Sequence, residues 1–303
     1  MKISIVLPTK NEEAVLESLI TEIRDICHTN QIEIKNIFIS DDSHDDTRKI
    51  ARANNVKVVI GGGKGLGLAM LKGLKEAASE EVDYIFAIDA DGQVDLNEIP
   101  VFLNAIKQKE ADLVLGSRFL SEGLVDYDYK WINRTGTKIL SGIMNKLTGL
   151  KLTDSHGGIR VMNREVIHEL DIIGNHTYVQ ETIIDSHENG FKIVEIPSRW
   201  LERKHGQSRV VLSIPKYIFY TLPILLMRSG AHIKYLYPIG IFMIFISFLD
   251  LLTVGFITNF SFLEMIERQS FHLFLLLFTT GINLFFFGFI FELLMNIKRG
   301  KKY

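Results

Sequence analysis

The sequence predicts an α/β fold, a mostly parallel sheet with helices on both faces, followed by a two-helix transmembrane hairpin. Three observations carry that expectation. Short β-preferring runs alternate with amphipathic helical stretches through the first half of the chain. Those runs end in polar, acidic or glycine-rich residues, which should line one crevice at the carboxyl ends of the strands. Apolar residues then crowd the carboxyl-terminal quarter.

Taken in order, Lys2–Leu7 reads as a strand, and Pro8-Thr9-Lys10-Asn11-Glu12-Glu13 as a turn into an amphipathic helix reaching Cys27. Ile34–Ser40 is the second strand and ends in the polar run Asp41–Thr47. A helix over Arg48–Asn54, a strand over Val56–Ile60 and the glycine run Gly61–Gly67 follow, the last opening a helix through Ala78. Tyr84–Ile88 is the next strand, then a helix over Glu98–Gln108 and a strand over Ala111–Gly116. The glycine run is no Walker loop, because no Ser or Thr follows Lys64, and Gly65-Leu66-Gly67 lacks the third glycine of a dinucleotide fingerprint. It reads as a flexible turn, with Lys64 a candidate phosphate contact.

The organising stretch is Tyr84–Ile88 followed by Asp89-Ala90-Asp91-Gly92-Gln93. Two carboxylates one residue apart at a strand end offer hard oxygen ligands for Mg²⁺ or Mn²⁺, which share their coordination with substrate phosphates. An EF-hand starting at Asp89 is excluded, since its sixth position is Val94 and its twelfth Pro100. A phosphatase of the Asp-x-Asp-Gly-Thr kind would need threonine at Gln93. A plain acidic turn is the remaining alternative. Asp41 and Asp42 could accept from a ribose or a base; the plainer reading is a helix cap by Asp45 or Asp46, and the run of six polar residues has room for both.

Composition narrows the field. At 303 residues with net charge −2, the chain has room for about two domains and no global basic field for nucleic acid. The single cysteine, Cys27, excludes an internal disulfide and reads as a small core residue. The first residues form an apolar strand and do not read as a signal peptide.

The motifs, as a set and in this order, resemble GT-A family 2 glycosyltransferases: Pro8-Thr9-x-Asn11-Glu12, Asp41-Asp42, Gly63-Lys64-Gly65, Asp89-Ala90-Asp91-Gly92-Gln93 and Gly116-Ser117-Arg118. Asp154-Ser155-His156-Gly157-Gly158-Ile159-Arg160 and Arg203-Lys204-His205-Gly206-Gln207-Ser208-Arg209 are similar to motifs of dolichol-phosphate mannosyltransferases and other polyprenyl-phosphate glycosyltransferases. The likeness covers roughly residues 1–230. Asp41–Thr47 is one residue shorter than the usual pattern, and Gly157, Ile159 and Arg209 replace serine, phenylalanine and lysine. The resemblance implies a GT-A (Rossmann-like) fold and inverting transfer of one sugar from a GDP- or UDP-linked donor to dolichyl or polyprenyl phosphate. Pro8, Asn11, Glu12, Asp41, Asp42 and Lys64 would then serve the nucleotide sugar, together with Asp89, Ala90, Arg203 and Arg209. Asp89, Asp91 and Gln93 would hold the Mg²⁺ or Mn²⁺ that neutralises the leaving diphosphate. Asp91, Arg118 and Glu181 are the catalytic candidates, with a helix-capping role open for Glu181 and an exposed basic loop open for the two arginines at 203 and 209. GDP-mannose, UDP-glucose and UDP-N-acetylglucosamine all fit. A processive polysaccharide synthase and a non-catalytic membrane scaffold are the competing readings.

Membrane attachment is argued separately. Tyr235–Ile257 and Phe271–Ile297 are each long enough to cross a hydrocarbon core of about 30 Å, for which about 20 apolar residues suffice. Arg228 and Lys234 precede the first span, and Lys298, Arg299, Lys301 and Lys302 follow the second, which predicts cytoplasmic placement of both termini and of the amino-terminal domain. Asp250, inside the first span, should face a helix or water. The expected parts are a catalytic domain over 1–212, juxtamembrane helices over 213–233 and the hairpin with its basic tail over 234–303, with a homo-oligomer through the spans as a further expectation. Trp131–Leu147 and Ile214–Met227 have the mixed apolar and basic character of interfacial helices, and an ordinary core helix is the alternative for the former. An acceptor anchored in the bilayer needs basic residues beside such segments, which points to Arg118, Arg134 and Lys138 for its phosphate.

Overall fold

The computed structural model describes residues 1–175, 178–203, 220–225, 228 and 232–300. The chain divides into two compact units, residues 1–221 and 222–303.

The first unit is built on a seven-stranded sheet of β1 (Lys2–Thr9), β2 (Glu33–Asp41), β3 (Lys57–Ile60), β4 (Tyr84–Ile88), β5 (Leu113–Ser117), β6 (Ile159–Asn163) and β7 (Ile193–Pro197). Their spatial order is β3-β2-β1-β4-β6-β5-β7. Ile3, Ile5, Val6 and Leu7 of β1 are all fully buried, as a strand covered by helices on both faces requires. Helix α1 (Leu16–Thr29) packs Leu16, Leu19, Ile20, Ile23 and Cys27 into the core, a stripe at helical spacing. Cys27 is therefore a core residue. Helices α2 (Thr47–Ala53), α3 (Leu66–Ala78) and α4 (Ile99–Gln108) follow β2, β3 and β4 in the expected alternation. The second half adds α5 (Trp131–Thr148), α6 (Arg164–Glu169) and α7 (Val179–Glu188).

Two strands were not anticipated. β6 contains Arg160, and β7 contains Glu195 and ends at Pro197, so neither run has the apolar continuity that marks a buried strand. β6 is antiparallel to both neighbours, with Ala87 and Leu115 each opposite Arg160. Its reversed direction has a direct effect on the site. The segment entering β6, residues 154–158, lies at the same end of the sheet as the segments leaving β4 and β5. The Asp89 amide donates to the Gly158 carbonyl at 2.9 Å.

The second unit is a helical hairpin of α8 (Tyr237–Ile257) and α10 (Gln269–Gly300), joined by the short α9 (Phe262–Glu267). The two long helices approach closely at Gly240 and Gly281: a Cβ on either would lie 2.9 or 2.8 Å from the other's carbonyl oxygen. Ser247 is fully buried, and the Tyr237 hydroxyl donates to Glu292 Oε2 at 2.7 Å. Only 22% and 11% of the most apolar stretches of Lys234–Ile257 and Gln269–Leu294 are buried, unlike the mostly buried core helix of a soluble protein. They are long and apolar enough to span a bilayer.

Candidate functional site

At the carboxyl ends of β1 and β2, two loops interlock through side-chain bonds. Asp41 is fully buried and accepts from Thr9 Oγ1 at 2.9 Å, from the Ser43 amide at 3.1 Å, and from Ser43 Oγ and Arg48 Nε. Burial pushes its carboxyl up, but the Ser43 and Arg48 contacts prevail and hold it below the usual range. Asn11 stands at φ 55°, a left-handed position asparagine tolerates. Its amide donates to Ser43 Oγ at 2.7 Å, and its Oδ1 accepts the His44 amide at 2.9 Å. The Glu12 amide donates to Thr47 Oγ1 at 3.0 Å. Asp41, Asn11 and Glu12 thus fix the shape of this corner, with Pro8 at its base on β1. The capping reading of the acidic run has a counterpart here. Asp45 Oδ1 accepts the Thr47 amide at 3.1 Å at the start of α2, whereas half-buried Asp42 holds the glycine turn through the Gly63 amide at 2.8 Å. Lys64, on that turn, is exposed.

Four candidates converge after β4. Asp91 pairs with Arg203, whose Nε and Nη2 each lie 3.4 Å from Gln93 Oε1. The Gln93 amide donates to Asp91 Oδ1 at 3.1 Å, and its Nε2 donates to Tyr127 Oη and the Leu201 carbonyl, both at 3.3 Å. Asp89 is placed beside Asp91. Burial first, then the charge of Asp91, raises the Asp89 carboxyl above the ordinary carboxylate range. A Cβ at Gly158 would come within 2.7 Å of Asp89 Oδ2 and 3.0 Å of the Trp200 ring, so only glycine leaves this carboxylate open. Two carboxylates that repel one another, with a carboxamide oxygen beside them, are a donor set that suits an oxygen-coordinated divalent cation, and here the Arg203 guanidinium supplies the positive charge at Asp91 and Gln93. Among the described residues no group of three or more His, Cys, Asp or Glu could hold a metal, so such a cation would draw further oxygens from elsewhere, as Mg²⁺ does from substrate phosphates. Ala90, between the two acids, is buried.

A second cluster forms after β5. Arg118, 5% exposed, donates through Nε to Asp154 Oδ2 at 2.6 Å and through Nη2 to Oδ1 at 2.9 Å. Its guanidinium lies 4.2 Å from the Trp200 ring centre and 5.3 Å from that of Phe119. Nη1 reaches Tyr129 Oη at 3.3 Å. Arg134, exposed on α5, stands over the same Phe119 ring at 5.6 Å, and exposed Lys138 follows one turn later. Helix α5 is neither of the alternatives in pure form. It buries Thr137, Ser141, Met144 and Thr148, while Trp131, Ile132 and Ile139 are 76%, 51% and 60% exposed. Glu181 sits in the first turn of α7 and accepts the Ile173 and Gly174 amides at 2.9 and 2.6 Å. It tethers the loop before the helix. Arg209 and most of the stretch Ile214–Met227 lie outside the described residues.

Sequence reasoning passed over Trp200, Tyr127 and Tyr129. Trp200 bridges to Val94 and Val125, tying the loop after β4 to the loop before α5. The alternation Tyr127-x-Tyr129 was the available signal: Tyr127 Oη accepts from Gln93 Nε2 and Tyr129 Oη from Arg118 Nη1. His156 was quoted only as part of a motif. Burial pushes its imidazole down to about 4, so it is neutral at physiological pH.

A sheet of this topology, with an Asp-x-Asp and its arginine after β4 and a buried arginine pair after β5, has the architecture of GT-A transferases. The chain belongs to glycosyl transferase family 2, whose model matches residues 4–171. It is 29% identical over 67% of its length to a low-salt glycan biosynthesis hexosyltransferase of Haloferax volcanii, covering 48% of that protein. It is 30% identical over 69% of its length to the dolichol-phosphate mannosyltransferase of Pyrococcus furiosus, covering 59% of it. The chain thus spans about half the length of these relatives. Among solved structures, glucosyl-3-phosphoglycerate synthase of Mycobacterium tuberculosis, crystallised with Mn²⁺ and UDP-glucose, superposes with a TM-score of 0.54 at 20% identity, covering 76% of this chain and 79% of that one.

Proposed function

We propose that this protein moves one sugar from a nucleotide-diphosphate sugar to a dolichyl or polyprenyl phosphate at a membrane surface. The observation that carries the reading is the joining of Asp89, Asp91, Gln93 and Arg203 at the end of β4, in a chain that also holds two helices able to span a bilayer. Asp89, Asp91 and Gln93 would hold Mg²⁺ or Mn²⁺, which when bound supplies Lewis-acid neutralisation of the leaving diphosphate. Arg203 carries a second positive charge to the same place. The interlocked corner of Asn11, Glu12, Asp41 and Asp42 forms the other wall, where a nucleoside would lie at the switch point of the sheet.

The acceptor is a phosphate monoester with a second pKa near 6, already largely ionised at neutral pH. Its oxygen can attack the anomeric carbon without a strong general base. That agrees with the amide contacts of Glu181, which make it a positioning residue in this reading. Arg118 is buried and neutralised by Asp154, so it acts as a positioning residue in this reading, and Arg134 and Lys138 are the exposed cations that would meet the lipid phosphate. The exposed Trp131, Ile132 and Ile139 of α5 suit a helix lying against the bilayer beside that phosphate.

The test is transfer by the full chain from a panel of GDP- and UDP-sugars to polyprenyl phosphate. One nucleotide sugar should give a lipid-linked product, chelation should abolish it, and Mg²⁺ or Mn²⁺ should restore it. Asp91→Ala should be inactive yet folded and membrane-bound. Full activity in excess chelator overturns the metal assignment. Arg134→Ala should weaken acceptor dependence by about one to two decades, the worth of one charge-assisted contact, with nucleotide binding unchanged. An unchanged acceptor titration removes Arg134 from the site.

A further inference from the structure

In the middle of its apolar stretch, the outward face of α10 carries one side chain that its surroundings do not serve. Asn283 lies within two residues of the middle of the apolar stretch Gln269–Leu294, and it is exposed. The serine and threonine hydroxyls in the apolar middle of these helices are satisfied locally. Ser247, Thr253, Thr279 and Thr280 donate to carbonyls of the preceding turn at 2.6, 2.9, 2.7 and 2.7 Å. The Asn283 carboxamide makes no hydrogen bond among the described residues. Leu276, Phe286, Phe287 and Ile290, one and two turns away on the same face, are exposed and apolar.

A carboxamide has two N–H donors and a carbonyl acceptor, and hydrocarbon offers partners to neither. The group is costly at that depth unless another helix supplies them. Copies of one chain enter a membrane the same way up, so a two-fold axis along the membrane normal brings each residue opposite itself at equal depth. A carboxamide is complementary to itself in that arrangement, whereas an ionised carboxylate would repel its copy. Resting on the reading of these helices as membrane spans, we propose that α10 pairs with α10 of a second copy of this chain, with Asn283 of each exchanging hydrogen bonds across the axis. The apolar neighbours supply the packing around the pair.

The experiment uses the full chain fused at its amino terminus to donor or acceptor fluorophores and reconstituted in liposomes. Energy transfer is followed as lipid is added at constant protein. Wild type should associate, Asn283→Leu should weaken association by about three- to thirtyfold, the range for one interhelical polar contact, and Asn283→Gln should restore much of it. Sugar transfer by Asn283→Leu, assayed separately, confirms that the variant is folded. Dilution curves that coincide for wild type and Asn283→Leu overturn the proposal. So does a monomeric wild type that retains a different membrane protein through Asn283. Alkaline extraction of the same liposomes tests the underlying reading: release of the protein from the bilayer defeats the membrane spans themselves, and the pairing with them.

Discussion

Arg118 directs its charge inward. Both its Nε and Nη2 go to Asp154, and three aromatic rings surround the guanidinium. Removing one member of such a pair leaves an uncompensated buried charge, so Asp154→Ala should cost about 3–5 kcal/mol, read as a lowered Tm of the detergent-solubilised chain. The pair also sets a pH dependence. Burial alone would raise the Asp154 carboxyl, but the charge and hydrogen bonds of Arg118 reverse this and hold it below its usual range. A carboxyl with a depressed folded value stabilises the fold at pH above its unfolded value, and that contribution is lost as pH falls through the folded value. The Tm of Asp154→Asn should therefore decline less steeply on acidification than that of wild type. Parallel acid limbs for the two proteins would assign the acid sensitivity to other carboxylates, Asp41 first.

At the scale of elements, the decisive contact is between the loop entering β6 and the end of β5. A Cβ at Gly157 would overlap the Gly116 carbonyl oxygen, two residues before Arg118. Gly157→Ala should shift β5 or the loop, costing about 1–3 kcal/mol or more, and should lower transfer with it. Gly142→Ala on α5, where an added Cβ meets nothing within 4 Å, should be neutral or stabilise by up to about 1 kcal/mol. Equal effects of the two substitutions on thermal unfolding would refute the close approach. This loop also marks where the sequence stopped being legible. Helices α1 to α4 and strands β1 to β5 announce themselves by periodicity, and the Asp-x-Asp by its position after a strand. β6 does not, because Arg160 is its second residue and Asn163 its last, leaving only Val161 and Met162 as a continuous apolar pair. Arg160 is 1% exposed and bonds to the Gly157 and Val179 carbonyls at 3.1 and 3.2 Å, over the Tyr178 ring. Only tertiary contacts make that position tolerable. The partnership of Arg118 with Asp154 was equally invisible, since the two residues are far apart in the chain and meet only because β6 runs backwards.

At the scale of the whole molecule, the basic residues flanking the two spans predict that both termini share a compartment. Reporters fused at the carboxyl terminus and within Asn259–Ser270 should report opposite sides of the membrane, and agreement between them would mean that one helix does not cross. The strand order carries a different consequence, one of timing. β1 to β4 can complete their pairing from the first 88 residues, but β5 touches the growing sheet only through β6. While residues 118–158 are being made, β5 has no edge to join, and β4 presents an open row of backbone donors and acceptors to whatever is near. A chain emerging amino terminus first therefore waits in a half-assembled form, with the corner of Asn11 and Asp41 complete and the cluster around Arg118 absent. Slow codons or substitutions in that interval would lower the yield of folded protein without altering the activity of the molecules that finish.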